Sequence, residues 1–176
     1  MVYAALAKET GRFLCIVTPG EAEATRFAGD LNALGIPTAV FPARDYVLRP
    51  IEGTAREYEY RRLSVLGDIV GGRLQAVCVP DEGLTQYTTP RAEFCNNTRT
   101  LHPGDTVPRT ELTALLYNAG YARRAQVDGP GQFSIRGDIV DLYAPDMKLP
   151  VRMEFWGDEI DTMHTFDLAT QRREDP

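Results

Sequence analysis

"GPGQFSIRGDIVDLYAP", residues 129–145, decides how the second half of the chain is read. Phe133 and Ile135 alternate with Ser134 and Arg136, and a second apolar alternation begins after Arg136-Gly137-Asp138. A period of two marks a strand with one buried face. The Arg-Gly-Asp tripeptide invites a cell-adhesion reading, but three residues recur by chance in many proteins, so the neighbours decide its meaning.

Working outward, "YARRAQV", "QFSIR", "DIVDLYA", "PVRMEFW" and "EIDTMHTFD" all read as strands, separated by turn chemistry at "DGPG", "PDMKLP" and "GD". Strands so close in sequence are most simply antiparallel. Before them, "RTELTALLYNAG" (109–120) reads as a helix with Leu112, Leu115 and Leu116 on its apolar face. The stretch "EFCNNTRTLHPGDTVPR" (93–109) breaks the pattern with Asn, Thr, Pro and Gly, which puts a domain boundary near Thr98.

The first half alternates differently. "RFLCIVTP" (12–19), "IPTAVFPA" (36–43) and "LQAVCVP" (74–80) are short apolar strand patterns. Between them lie two amphipathic helices. One, at 21–35, carries Ala24, Phe27, Leu31 and Leu34 on one face and stops at Gly35; the other, at 54–72, has Tyr58, Arg62, Val65 and Ile69 in register and closes on a Gly pair. Strand, helix, strand, helix, strand is the order of a parallel sheet with crossover helices. "VYAALAKE" reads as the end of a helix, so the expectation is a lobe whose first strand lies upstream of residue 1.

With 176 residues, 43% of them apolar, the chain builds one ordinary domain or two small ones. A net charge of −6, with neither half basic, opposes general adhesion to nucleic acid phosphates. Cys15, Cys78 and Cys95 are odd in number and far apart, and they read as buried free thiols in a reducing compartment. No apolar run approaches the length of a membrane span, and "MVYAALAKET" lacks the order of a signal peptide. The expected place is the cytoplasm.

Little in the chain points to catalysis. Neither GxxxxGK[ST] nor GxGxxG occurs. His102 and His164 have no ligand-spaced partners, and His164 reads as a surface residue. Asp158, Glu159 and Asp161 read as a solvated strand end rather than a cation site. What stands out is arginine on strands that also expose aromatics. Along "PVRMEFW", Val151, Met153 and Phe155 face the core, so Arg152, Glu154 and Trp156 point away from it. Exposed Trp and Arg are the types that most often anchor protein interfaces. Pairing of each arginine with a neighbouring carboxylate is the competing explanation.

"NAGYARRAQV", "GQFSIRGDIVDLYAP" and "LPVRMEFWGDEIDTMHTFDLATQR", in this order and spacing, resemble the N-terminal, UvrB-like module of the bacterial transcription-repair coupling factor (Mfd) family. The first half also resembles that module's degenerate helicase-like lobe through "IVTPGEAEATRFAGDL", "FPARDYVLRP" and "EYRRLSVLGDIV". UvrB carries an aromatic-rich DNA-gripping segment where this chain has "FPARDYVLRPIEG", and Phe166, Asp167, Thr170, Gln171 and Arg172 match the "FD..TQR" of coupling factors. Departures are Trp156 for a usual Phe, Gln132 and Ala125 for commonly acidic residues, and Asp138 for a small or apolar one.

The resemblance implies an α/β fold: a degenerate helicase-like parallel α/β lobe at 1–97, N-terminally incomplete, followed by a small α+β domain at 98–176 with a mainly antiparallel sheet. It implies that the second domain binds UvrA, with Arg136, Arg152 and Trp156 as partner-binding residues and Gly137 at a bulge or tight turn. This stretch is then expected to be non-catalytic and to hold no cofactor. ATP and Mg belong to motor domains elsewhere in a full-length DNA translocase, whose other regions meet RNA polymerase and DNA; no membrane is involved. A fragment of the UvrB damage-binding helicase subunit and an unrelated α/β enzyme domain are the alternatives.

Overall fold

The computed structural model describes residues 2–44 and 55–174. These fall into two compact units, Met1–Arg91 and Ala92–Pro176. No described helix is long and apolar enough to cross a membrane.

The first unit runs α1 (Val2–Thr10), β1 (Leu14–Thr18), α2 (Glu21–Ala33), β2 (Thr38–Val40), α3 (Ala55–Val70), β3 (Ala76–Pro80) and α4 (Asp81–Thr85). Its three strands are parallel in the order β1-β3-β2. The path from β1 to β2 and the path from β2 to β3 run across the sheet in opposite directions, so right-handed crossovers put their helices on opposite faces. The core divides accordingly. Ile16, Ala76 and Cys78 pack with Ala7, Ala24, Ala28 and Leu31 of α1 and α2, while Val77 and Val79 pack with Val65 of α3. Gly35 ends α2 as expected: at φ +76° it donates to the Asn32 carbonyl, and Ile36 donates to Leu31. Leu34, expected on the buried face, is exposed because it caps this turn, and Ala28 takes the core position.

Cysteine burial corrects the sequence reading. Cys78 is buried in the central strand, and burial, with nearby Cys15 adding to it, pushes its thiol up to about 11. Cys15, however, is exposed. It lies on edge strand β1 on the face packed by α3, whose core cluster reaches β3 but includes no β1 residue. Cys95, on α5 (Arg91–Asn96), is exposed too, since that short helix buries none of its residues.

In the second unit, α6 (Arg109–Asn118) is followed by β4 (Ala122–Arg123), β5 (Gln132–Arg136), β6 (Ile139–Tyr143), β7 (Val151–Trp156) and β8 (Glu159–Thr165). They form one sheet in sequence order. Leu112 and Leu116 of α6 pack on Phe133, Val140, Met153, Phe155 and Ile160, which makes one sheet face the core. The β5–β6, β6–β7 and β7–β8 pairs are antiparallel as expected. The β4–β5 pair is parallel, and of "YARRAQV" only Ala122 and Arg123 form strand. So short a strand spans only about 7 Å, and the 124–131 connection can return over that distance without a helix.

Candidate functional site

The face of the second sheet opposite α6 is built by the turns. Arg136-Gly137-Asp138 and Trp156-Gly157-Asp158 occupy equivalent places: in each, Gly and Asp form a two-residue hairpin loop, with Gly at φ +59° and +66°. The opening tripeptide is therefore a hairpin turn. Its Asp138 carboxylate and Gly137 carbonyl accept from Arg109 at the start of α6, and the Asp138 carbonyl accepts from the Phe155 amide. Register puts Arg136, Ile139 and Glu154 on one face, alternation adds Trp156 to it, and both hairpins turn at the same end of the sheet.

Pairing lines up Ser134, Asp141, Arg152 and His164 directly across four strands. At the centre, Asp141 is 0% exposed. A buried carboxylate requires ionic partners, and among the described residues Asp141 has two. Arg152 donates from Nε to Oδ1 at 2.6 Å and from Nη2 to Oδ2 at 2.9 Å, the two-pronged geometry that suits a guanidinium to a carboxylate. Arg136 donates from Nη2 to Oδ2 at 2.6 Å, and Ser134 Oγ lies 3.5 Å from the same oxygen. The hydrogen bond to Asp141 holds the Arg152 guanidinium above its ordinary pKa, against burial and with the Asp141 and Glu154 charges helping.

The segment after β8 completes the grip. The guanidinium of Arg152 stacks 4.7 Å above the ring of Phe166, which is fully buried, and Nη1 donates to the Gln171 carbonyl at 3.4 Å. Gln171 stands in the left-handed region at φ +57°. Its turn is fixed by Asp167, whose Oδ1 accepts from the Thr170 amide at 2.7 Å and whose carbonyl accepts from the Gln171 amide at 2.8 Å. The Thr170 amide and side chain together hold the Asp167 carboxyl below its ordinary pKa. Phe166, Asp167, Thr170 and Gln171 of "FDLATQR" thus share one task, clasping Arg152.

Of the three residues singled out from sequence, the structure brings Arg136 and Arg152 to one carboxylate, with side chains 47% and 16% exposed, and leaves Trp156 84% exposed. Glu154 shares their face and is exposed, whereas Met153 and Phe155 are buried, as the alternation requires. His164, read as a surface residue, is half-buried beside Arg152, and its Nδ1 is buried with no hydrogen-bond partner among the described residues, as is Gln171 Oε1. The residue the sequence reading missed is Asp141. Its one signal was a carboxylate in the middle of an apolar alternation.

Among the described residues of the first unit, the helices that follow a strand have acidic first turns: Glu21 and Glu23 in α2, Glu57 in α3, Asp81 and Glu82 in α4. Negative side chains in these first turns complement the positive end of each helix dipole and repel a phosphate. Phe41, the aromatic at the head of "FPARDYVLRPIEG", is buried under the Arg62 guanidinium at 4.1 Å, and residues 45–53 of that segment lie outside the described residues.

A family profile described as "UvrB interaction domain" matches residues 100–176. Proteins named transcription-repair-coupling factor are similar to the chain over most of its length. The Bacillus subtilis protein is 28% identical over 170 residues, covering 96% of this chain and 14% of its own length. The Mycobacterium bovis protein is 34% identical over 180 residues, covering 98% and 14%, and a Staphylococcus aureus protein is 30% identical over 135 residues, covering 77% and 12%. The chain therefore spans about a seventh of the length of these relatives.

Proposed function

We propose that the chain is the N-terminal, UvrB-like module of a transcription-repair-coupling factor, which recruits UvrA without catalysis of its own; the match of residues 100–176 to the UvrB interaction domain profile and the similarity of most of the chain to proteins named transcription-repair-coupling factor support this. The second domain, 98–176, supplies the contact through the face that carries Arg136, Arg152 and Trp156. The observation that carries this reading is an indole 84% exposed on a sheet face whose opposite side is the core. An exposed tryptophan on the same sheet face as an arginine held in place by an internal carboxylate is the composition of an interface anchor rather than of a solvated sheet. Arg136 makes one hydrogen bond among the described residues, so most of its donors are open to a partner's carboxylate.

In the intact protein, a translocase in other regions displaces stalled RNA polymerase on DNA and uses ATP and Mg, while this module brings the excision machinery; this role places the protein in the cytoplasm. The module itself takes no nucleotide: the chain carries no GxxxxGK[ST] loop, and the helices that follow β1 and β3 have acidic first turns.

Calorimetric titration of the cognate UvrA into the chain tests the reading. Saturable binding that folded Arg136→Ala weakens by about 2 kcal/mol, roughly thirtyfold, and that Arg91→Ala in the first domain leaves unchanged, is expected. Absence of binding by the wild-type chain would sink it. Stabilisation of the chain by ATP with magnesium would refute its nucleotide-free part.

A further inference from the structure

We propose that Asp141 is the positioning residue of this face: it holds Arg136 in place for the partner, and Arg152 acts through Asp141 instead of touching the partner. The inference rests on the reading of the face as the UvrA-binding surface, and it divides the labour among residues that the sequence treats as equivalent.

The two arginines differ in what they have left to give. Arg152 commits Nε and Nη2 to Asp141, Nη1 to the Gln171 carbonyl and its flat face to Phe166, and its side chain is only 16% exposed. To meet a partner's carboxylate it would have to abandon contacts with three residues, Asp141 on β6 and Phe166 and Gln171 in the segment after β8. Arg136 reaches the same Asp141 with one nitrogen while nearly half its side chain stays in solvent. A long, flexible side chain pinned at one nitrogen loses less freedom when a partner binds the rest of it, and that is the gain of preorganisation.

Asp141 makes this possible because it is out of water. In a poorly polarisable surrounding its attraction for both guanidinium groups is strong, and Arg152, clasped from behind, fixes where the carboxylate sits. Arg152 therefore sets the position of Arg136 at second hand. Neutralising Asp141 would leave two like charges side by side with nothing between them, and Arg136, the freer of the two, would swing away.

The test is a cycle of variants titrated with UvrA, read together with the arginine side-chain Nε–H resonances of the chain alone. Asp141→Asn keeps the shape and removes the charge; it is expected to weaken binding at least about tenfold, as removal of an interface anchor does. Arg136→Ala should cost at least about tenfold in the wild-type background but less than about twofold in the Asp141→Asn background, and Arg152→Ala should likewise add almost nothing there. Without partner, the Nε–H of Arg152 should be protected from exchange in the wild type and exposed in Asp141→Asn.

Unchanged binding by folded Asp141→Asn would overturn the inference. So would tighter binding, which would mean that Asp141 competes with the partner for Arg136, or an Arg152→Ala loss that persists in full when Asp141 is neutral. Should Asp141→Asn fail to fold, Asp141→Asn with Arg152→Gln removes both charges and is expected to show the same loss. If the wild type does not bind UvrA, the proposed function fails; the resonances then decide the positioning separately, an unprotected Arg152 Nε–H refuting it and one that only Asp141→Asn exposes supporting it.

Discussion

Replacing Trp156 with alanine should separate binding from folding more sharply than any other change in this chain. A tryptophan buries up to about 250 Å², so an indole that is 84% exposed offers a partner roughly 200 Å². At about 25 cal/mol per Å² the ceiling is ~5 kcal/mol. Ordering of nearby side chains and imperfect fit take a share of that. The expected loss on truncation is therefore about 2–4 kcal/mol, or roughly 30-fold to 1000-fold in Kd. Folding should hardly notice, because a side chain with so little burial contributes within about 0.5 kcal/mol. Calorimetric titration with UvrA measures the first quantity and urea unfolding of each variant the second. Trp156 is also the chain's one tryptophan, so its emission in the free protein should be that of a solvated indole. A change in Kd below about threefold would refute the anchor assignment, and a loss of more than about 1 kcal/mol of stability would refute the exposed placement.

Phe133 is fully buried and meets the Tyr117 ring edge-on at 5.3 Å, so Phe133→Ala should destabilise the second unit by about 3–5 kcal/mol in urea unfolding; wild-type stability would contradict its core role. Gly29 and Gly137 both have open space where a Cβ would stand, yet Ala should act oppositely at the two. In the interior of α2, Gly29→Ala should stabilise by about 0.5–1 kcal/mol, whereas Gly137→Ala, at φ +59°, should cost about 1–2 kcal/mol. Thermal unfolding with the same sign for both would contradict the backbone argument. Asp167 is harder to protonate folded than unfolded, so its contribution to the 166–174 turn is complete above about pH 4 and is lost as pH falls through its lowered folded value. Following the Thr170 amide resonance on acidification should show the turn opening below that pH, and Asp167→Asn should abolish the dependence; an Asn variant with the wild-type profile would overturn it.

Much of this molecule could be read locally. Helix and strand periods, and the Gly residues that end α2 and turn the hairpins, depend on neighbours a few residues away, and they placed Arg136, Arg152 and Trp156 on strands with the apolar side inward. What failed depended on distant neighbours. Cys15 sits in an apolar run, but its exposure follows from which strand lies at the sheet edge and how far α3 reaches. The parallel direction of β4 likewise depends on the course of a loop.

The Arg136–Asp141–Arg152 cluster divides along the same line. The two-residue Gly137-Asp138 turn pairs Arg136 with Ile139 and hence Ser134 with Asp141, a register already present in the sequence because a tight turn allows no other. Nothing local sets the next pairing: the 144–150 connection is not a tight turn, so a slip would have cost the chain no turn geometry. Packing of Val140 and Met153 in one core, with α6 across them, brings Asp141 opposite Arg152, and the 166–174 turn then lays Phe166 against that arginine. The sequence alone determined which residues leave the core, because alternation is a local property of the backbone. Only the tertiary structure decided that two of them share a buried carboxylate, because long-range register comes from the packing of the whole face.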